Sequence, residues 1–220
     1  MRIVAFGDIH MALGGWGTAP APETADLVII TGDLTNFGHR RDAQQMLDLI
    51  RKRHTGPLLA LPGNLDHRDV NHYLSETGLN LHGRGELVNG VGFFGLGGSN
   101  QTPFHTPLEF SEEELARLLA DGHQQVQTAA LRILVSHVPP FGTQTDLLAN
   151  GTHVGSPAVR EFIERHQPDL CLCGHIHESR GEDRLGKTRI LNPGMIKDGG
   201  WIGVNIDPGG LTAGLELAPD

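Results

Sequence analysis

Short apolar runs recur along the chain, and each closes on a polar or glycine-bearing cluster. Arg2–Phe6 leads into Gly7-Asp8-Ile9-His10, Leu27–Ile30 into Thr31-Gly32-Asp33, and Leu58–Leu61 into Pro62-Gly63-Asn64-Leu65-Asp66. Farther on, Leu131–Val135 meets Ser136-His137 and Leu170–Cys173 meets Gly174-His175-Ile176-His177. Runs of this kind, without alternation, belong to strands covered on both faces. Between them the period changes. From Arg40 to His54, Ala43, Met46, Leu47 and Ile50 follow helical spacing, and Gly56-Pro57 stops the helix. A second helix is expected from near Asp69, presenting Val70, Tyr73 and Leu74. Ser111 with Glu114 forms a capping box for a helix carrying Leu115, Leu118 and Leu119. Ser156-Pro157 opens another that extends to His166.

The remaining segments read as turns, loops and closing strands. Asn89-Gly90, between Glu86–Val88 and Val91–Leu96, suits the type I′ turn of a β-hairpin. Residues 11–24, with Gly14, Gly15, Gly17, Pro20 and Pro22, read as a loop, as do Gly97–Phe110 and Pro139–Gly155. Arg189–Leu191 and Ile202–Ile206 are expected to close the sheets. Strand–helix alternation is the mark of an α/β fold. Without an internal repeat or an interdomain linker, the expectation is one domain over residues 1–220.

Charge and composition narrow the partners. A net charge of −9 disfavours a stable nucleic-acid complex, because phosphate backbones require a basic face. It does not disfavour a small phosphate ester, since bound cations would reverse the local sign. No apolar stretch approaches a membrane span, and Met1–Phe6 is too short for a signal peptide, so the expected location is cytoplasmic. Cys171 and Cys173 lie two apart on one strand, at the upper limit of disulfide reach, and are read as buried thiols of a reducing compartment.

The clusters at the strand ends carry the chemistry. Parallel strands that finish together would bring Asp8, His10, Asp33, Asn64, His137, His175 and His177 to one rim. Asp8-x-His10 puts a carboxylate and an imidazole on the same side of an extended segment, within reach of one ion. His175-x-His177 has the same geometry, or splays to two ions if the backbone turns at Gly174. The Asp33 carboxylate has two oxygens and can bridge. Each pair alone is a weak signal, and Asn64 or His137 alone reads as a turn residue or a structural histidine. Together they form a donor set for two divalent metal ions in a hydrolytic centre.

In their order, D-x-H, G-D, G-N-x-D, an isolated His after a strand and G-H-x-H, these motifs resemble the calcineurin-like metallophosphoesterase family, from Asp8 to His177. The resemblance implies a four-layer α/β/β/α sandwich of two mixed sheets flanked by helices. It implies that Asp8, His10, Asp33 and His177 hold one metal and Asp33, Asn64, His137 and His175 the other, with Asp33 bridging. It also implies hydrolysis of a phosphate ester by a hydroxide shared between ions about 3.5–4 Å apart. Manganese is the first expectation, with Fe, Zn, Ni or Co sharing the donor preferences.

Two linked positions depart from the commonest pattern. Many members of the family carry His after the Asn, where it protonates the leaving group, and this chain has Leu65. Its usual Asp partner, three residues beyond the G-D aspartate, is Asn36. The departures resemble a small bacterial and archaeal branch with a G-N-x-D third motif, and they favour phosphodiesters with stable leaving groups. His67 is the candidate replacement acid and His153 a candidate substrate contact; Gly63–Asn64 amides and the N-terminus at Ser156-Pro157 are candidate phosphate donors. Arg68 reads as exposed and Asn100 as part of a rim loop. The alternative is a non-catalytic interaction scaffold on the same fold, similar to the retromer subunit. A scaffold has no need to keep every ligand position.

Overall fold

A computed structural model describes residues 1–18 and 24–218. The chain runs β1 (Arg2–Phe6), α1 (Gly14–Thr18), β2 (Leu27–Ile30), α2 (Arg40–Arg51), β3 (Leu58–Ala60) and α3 (Arg68–Glu76). It continues through the hairpin β4 (Gly85–Val88) and β5 (Val91–Leu96), the short pair β6 (Ser99–Asn100) and β7 (Glu109–Phe110), and α4 (Glu112–Val126). Then come β8 (Leu131–Ser136), α5 (Pro157–His166), β9 (Leu170–Leu172), β10 (Gly181–Leu185), β11 (Thr188–Asn192), β12 (Gly200–Asp207) and β13 (Gly210–Leu217).

The strands form two mixed sheets, ordered β13-β12-β1-β2-β3 and β10-β11-β9-β8-β5-β4. In the first, β1, β2 and β3 are parallel and in register, Phe6 opposite Ile30 and Ile30 opposite Ala60, so all three end at one level. In the second, β5, β8, β9 and β11 are parallel. Residues of opposite parity on each strand serve different layers. Ile3, Ala5, Leu27, Ile29 and Leu59 meet Phe93, Ile133, Val135, Leu170 and Leu172 between the sheets. The alternate residues Val4, Phe6, Val28, Ile30 and Ala60 pack beneath Met46, Leu47 and Ile50 of α2 and Val70 and Leu74 of α3. Phe94, Leu134, Cys171 and Ile190 pack beneath α4 and α5. Three apolar interfaces separate four layers, the expected α/β/β/α sandwich.

Several expectations change in detail. The loop over 11–24 contains α1, because Trp16 buries its ring 4.8 Å from that of Phe6; its residues 19–23 lie outside the described residues. The 97–110 loop contributes β6 and β7, and the helix expected to reach His54 ends at Arg51. Asn89 and Gly90 both have positive φ, as the hairpin turn requires. Ser111 accepts from the Glu114 amide while Glu114 accepts from the Ser111 amide, completing the capping box. No helix is long and apolar enough to cross a membrane among the described residues.

Candidate metal centre

The rim where β1, β2, β3, β8 and β9 end carries all seven candidate ligands. The chain turns sharply as it leaves these strands. Asp8 (φ +50°), His10 (+45°), Asp33 (+47°) and His175 (+68°) occupy left-handed conformations that L residues seldom adopt. Such strain persists only where surrounding contacts enforce it, and it gathers at functional sites. Gly63 is required for a different reason: a Cβ there would strike the Asp33 carboxylate.

Each side chain is aimed by a second contact. His137 donates from Nδ1 to the Thr31 carbonyl at 2.9 Å, which points Nε2 into the cluster, 3.0 Å from Asn64 Oδ1 and 3.5 Å from Asp33 Oδ2. Thr106 donates its hydroxyl proton to Glu109 and accepts from Asn64 Nδ2 at 3.0 Å, so the Asn64 amide oxygen faces the cluster. The Leu65 amide donates to Asp33 Oδ1 at 2.8 Å, leaving Oδ2 between His137 and His10, the latter 3.8 Å away. On the other side, His10 Nε2 and His177 Nε2 face each other at 3.0 Å, and His177 Nε2 is 3.2 Å from Asp8 Oδ1. The His175 amide donates to Asp8, and the His175 ring lies 5.1 Å from that of His137.

Asp8, His10 and His177 each present a ligand atom within 4.8 Å of the others, as do Asp8, Asp33 and His137. Asp8 thus belongs to both groups and Asp33 to the second, although Asp33 Oδ2 also lies 3.8 Å from His10 Nε2. Asp8 and Asp33 are fully or almost fully buried, and two carboxylates in such a place call for cations. Oxygen and imidazole donors fit hard or borderline divalent ions. Neither thiol takes part: both cysteines are buried and free, and Cys173 donates to the Leu191 carbonyl.

The electrostatics follow from this crowding. Burial works against the His137 imidazolium, but the Asp33 and Asp8 carboxylates outweigh it and bring the pKa to about 9. Burial, reinforced by His137, takes His175 down to about 4, and burial also lowers His10. Burial opposes the His177 imidazolium too, yet Asp8 raises it above its ordinary value. For Asp33, burial favours the neutral acid, and His137 reverses the balance, so it stays ionised below the usual range.

Asp66, the last residue of G-N-x-D, is a clamp that the sequence motif contained without revealing its role. Its carboxylate accepts from the amides of Gly63, Leu34 and Thr35 and from the Thr35 hydroxyl, at 2.7–3.1 Å. It therefore joins the loop that holds Asp33 to the loop that holds Asn64, and it commits the Gly63 amide that was a candidate phosphate donor. Burial and then the Asp33 charge raise its pKa to about 7.

The predicted accessory residues separate. His67 caps the start of α3, where its ring stacks on His39 at 4.1 Å, and Arg68 is exposed. His153 lines a cavity of 610 Å³ together with Asn64, His175 and Asn100. His153 Nδ1 lies 2.7 Å from Asp146 Oδ1, and Asp146 is fully buried, accepting from the amides of Thr143, Gly142 and Gly155. Nothing local in the 139–155 sequence signals Asp146. The N-terminus of α5 does not face a phosphate: Glu112 accepts from the Ser156 hydroxyl and the Ala158 amide, filling the place an anion would take.

Comparison with known proteins agrees with this geometry. Residues 1–179 match the calcineurin-like phosphoesterase family. The chain is 35% identical over 197 residues to protein MJ1162 of Methanocaldococcus jannaschii, covering 88% of each chain. Its fold is similar to that of TT1561 of Thermus thermophilus, with a TM-score of 0.72, 19% identity and 97% of each chain covered. It is also similar to a dimetal phosphatase from Danio rerio, with a TM-score of 0.63, 12% identity, and 100% of this chain and 99% of that one covered. Four layers, a rim of converging carboxylate and imidazole donors, and a family match that runs through the last of them lead to one assignment: this chain belongs to the calcineurin-like phosphoesterases, a family of metal-dependent phosphoesterases.

Proposed function

We propose that the protein is a dinuclear metal-dependent phosphoesterase acting on phosphodiesters, with Asp8, His10, Asp33, Asn64, His137, His175 and His177 as its ligands. One observation carries this reading: Asp33 Oδ2 stands between His137 and His10, at 3.5 and 3.8 Å, where one carboxylate serves two neighbouring donor groups. A bound pair of divalent cations, manganese first among them, supplies an activated water and neutralises charge on the phosphoryl oxygens. The chain itself does the positioning. Thr31 fixes the His137 tautomer, Thr106 fixes the Asn64 amide, and Asp66 holds the two loops in register.

Leu65 supplies no proton, and we assign that role to His153, which lines the cavity. With Nδ1 directed at Asp146, its Nε2 is the ring nitrogen left to face the substrate. As the P–O bond breaks, a proton carried on Nε2 passes to the departing oxygen, and the buried Asp146 carboxylate on Nδ1 holds the ring in place. The scaffold alternative is disfavoured because every donor position of the family is filled. The test is metal analysis of the purified protein, followed by mono-, di- and cyclic nucleotide esters and aryl esters with added Mn²⁺. Bound metal and faster turnover of aryl phosphodiesters than of alkyl phosphomonoesters are expected. Absence of hydrolysis, or a strong preference for alkyl monoesters, would overturn the proposal.

A further inference from the structure

We infer that the cavity beside the metal centre is a leaving-group subsite for an uncharged, flat aromatic group, with Phe104 and Phe141 as its specificity-determining residues. The inference rests on the phosphoesterase reading above. Asn64 and His175, both candidate ligands, form part of the cavity wall, so whatever fills it is continuous with a phosphorus centre held at the rim. His153, the proton donor assigned to the departing oxygen, opens onto the same space and places it on the leaving-group side.

The lining chooses the chemistry. Phe104 is 80% exposed and Phe141 41% exposed, and both line this cavity together with Leu148 and Ile176. An aromatic side chain left in water contributes nothing to the core, and an apolar patch beside a reactive centre is accounted for by a ligand that covers it. The Phe141 ring meets His153 at 5.8 Å with a 63° tilt, which keeps an aromatic surface next to the proton donor. Among the described residues, no Lys or Arg lines the cavity. Its one carboxylate, Glu112, is turned to Ser156 and Ala158. A second phosphate would therefore find no cation and one like charge. A volume of 610 Å³ lies within the range of small-molecule pockets and leaves room for a bicyclic ring.

The experiment compares phenyl methyl phosphate with 2-naphthyl methyl phosphate, whose leaving groups have similar acidity but different apolar area. It adds fluorescence titration with naphthylmethyl phosphonate, which is not hydrolysed. With the Mn²⁺-loaded protein, KM should be about tenfold lower for the naphthyl ester at similar kcat. Phe104→Ala and Phe141→Ala should each remove most of that advantage and weaken phosphonate binding, with metal content unchanged. Phe104 is exposed enough for its variant to fold even if the other does not. Hydrolysis of both esters with no KM difference, or no effect of either variant, overturns the subsite and leaves the phosphoesterase reading standing. If neither ester is hydrolysed, the phosphoesterase reading fails. Phosphonate affinity then tests the aromatic site alone, its loss in Phe104→Ala supporting that site without a leaving-group role and its persistence overturning it.

Discussion

His153 and His67 show how one position in the sequence can matter less than its surroundings. His67 is two residues from the vacant imidazole position at Leu65, yet its ring is stacked on His39, whose Nδ1 is 3.1 Å from an Asp69 oxygen. His153 is distant in sequence but carries a buried carboxylate behind it and the cavity in front. A proton donor matters most when the leaving group is basic. His153→Ala should therefore lower kcat on alkyl-leaving diesters by about 10²–10⁴-fold and have little effect on 4-nitrophenyl esters. His67→Ala should leave both substrates unchanged. A leaving-group series on the two variants checks this, and equal loss across the series would remove His153 from the proton transfer.

Elements are held in register at the rim by Asp66. Loops after β2 and β3 both depend on its carboxylate, and Asp66→Ala would strand three buried backbone N–H groups. A loss of about 3 kcal/mol or more is expected from denaturant unfolding, with a fall in bound metal because Asp33 and Asn64 lose their shared anchor. Unchanged stability would mean that water replaces the clamp. Much of this level was legible in advance. The ligand clusters stood out because each follows an apolar run, and parallel strands in register must deliver their ends to one level. What was not legible had little local signal. Strands β10 and β13 mix glycine, charge and partly exposed positions, so neither period marks them. The glycine-rich α1 disfavours a helix on propensity and forms around the burial of one tryptophan. Asp146 finds His153 through the path of a loop, a tertiary fact that no spacing encodes.

For the whole molecule, metal and proton compete for one pocket. The chain carries a net charge of −9, and its fold brings the carboxylates of Asp8 and Asp33 together out of water. Without a cation, a proton shared with His137 offsets that charge, and for this reason the His137 pKa rises to about 9. A folded-state value above the unfolded one stabilises the metal-free protein fully below about pH 6.5, and that contribution is lost as pH rises through about 9. His175, at about 4, is already neutral near neutral pH and has no proton to release. Metal uptake must expel the His137 proton, and with it the proton that Asp8 favours on His177, because a ligating nitrogen needs its lone pair. Affinity for Mn²⁺ should therefore climb by about tenfold per pH unit per proton released, and level off above about pH 9. The rise in Tm on adding Mn²⁺ should grow over the same interval, since the cation binds only the folded chain. Isothermal titration in buffers of different ionisation enthalpy reads the released proton directly, and His137→Gln should flatten the slope. A pH-independent affinity in the unaltered protein would mean that His137 is neutral before the metal arrives, and that Asp8 and Asp33 are balanced by some other charge.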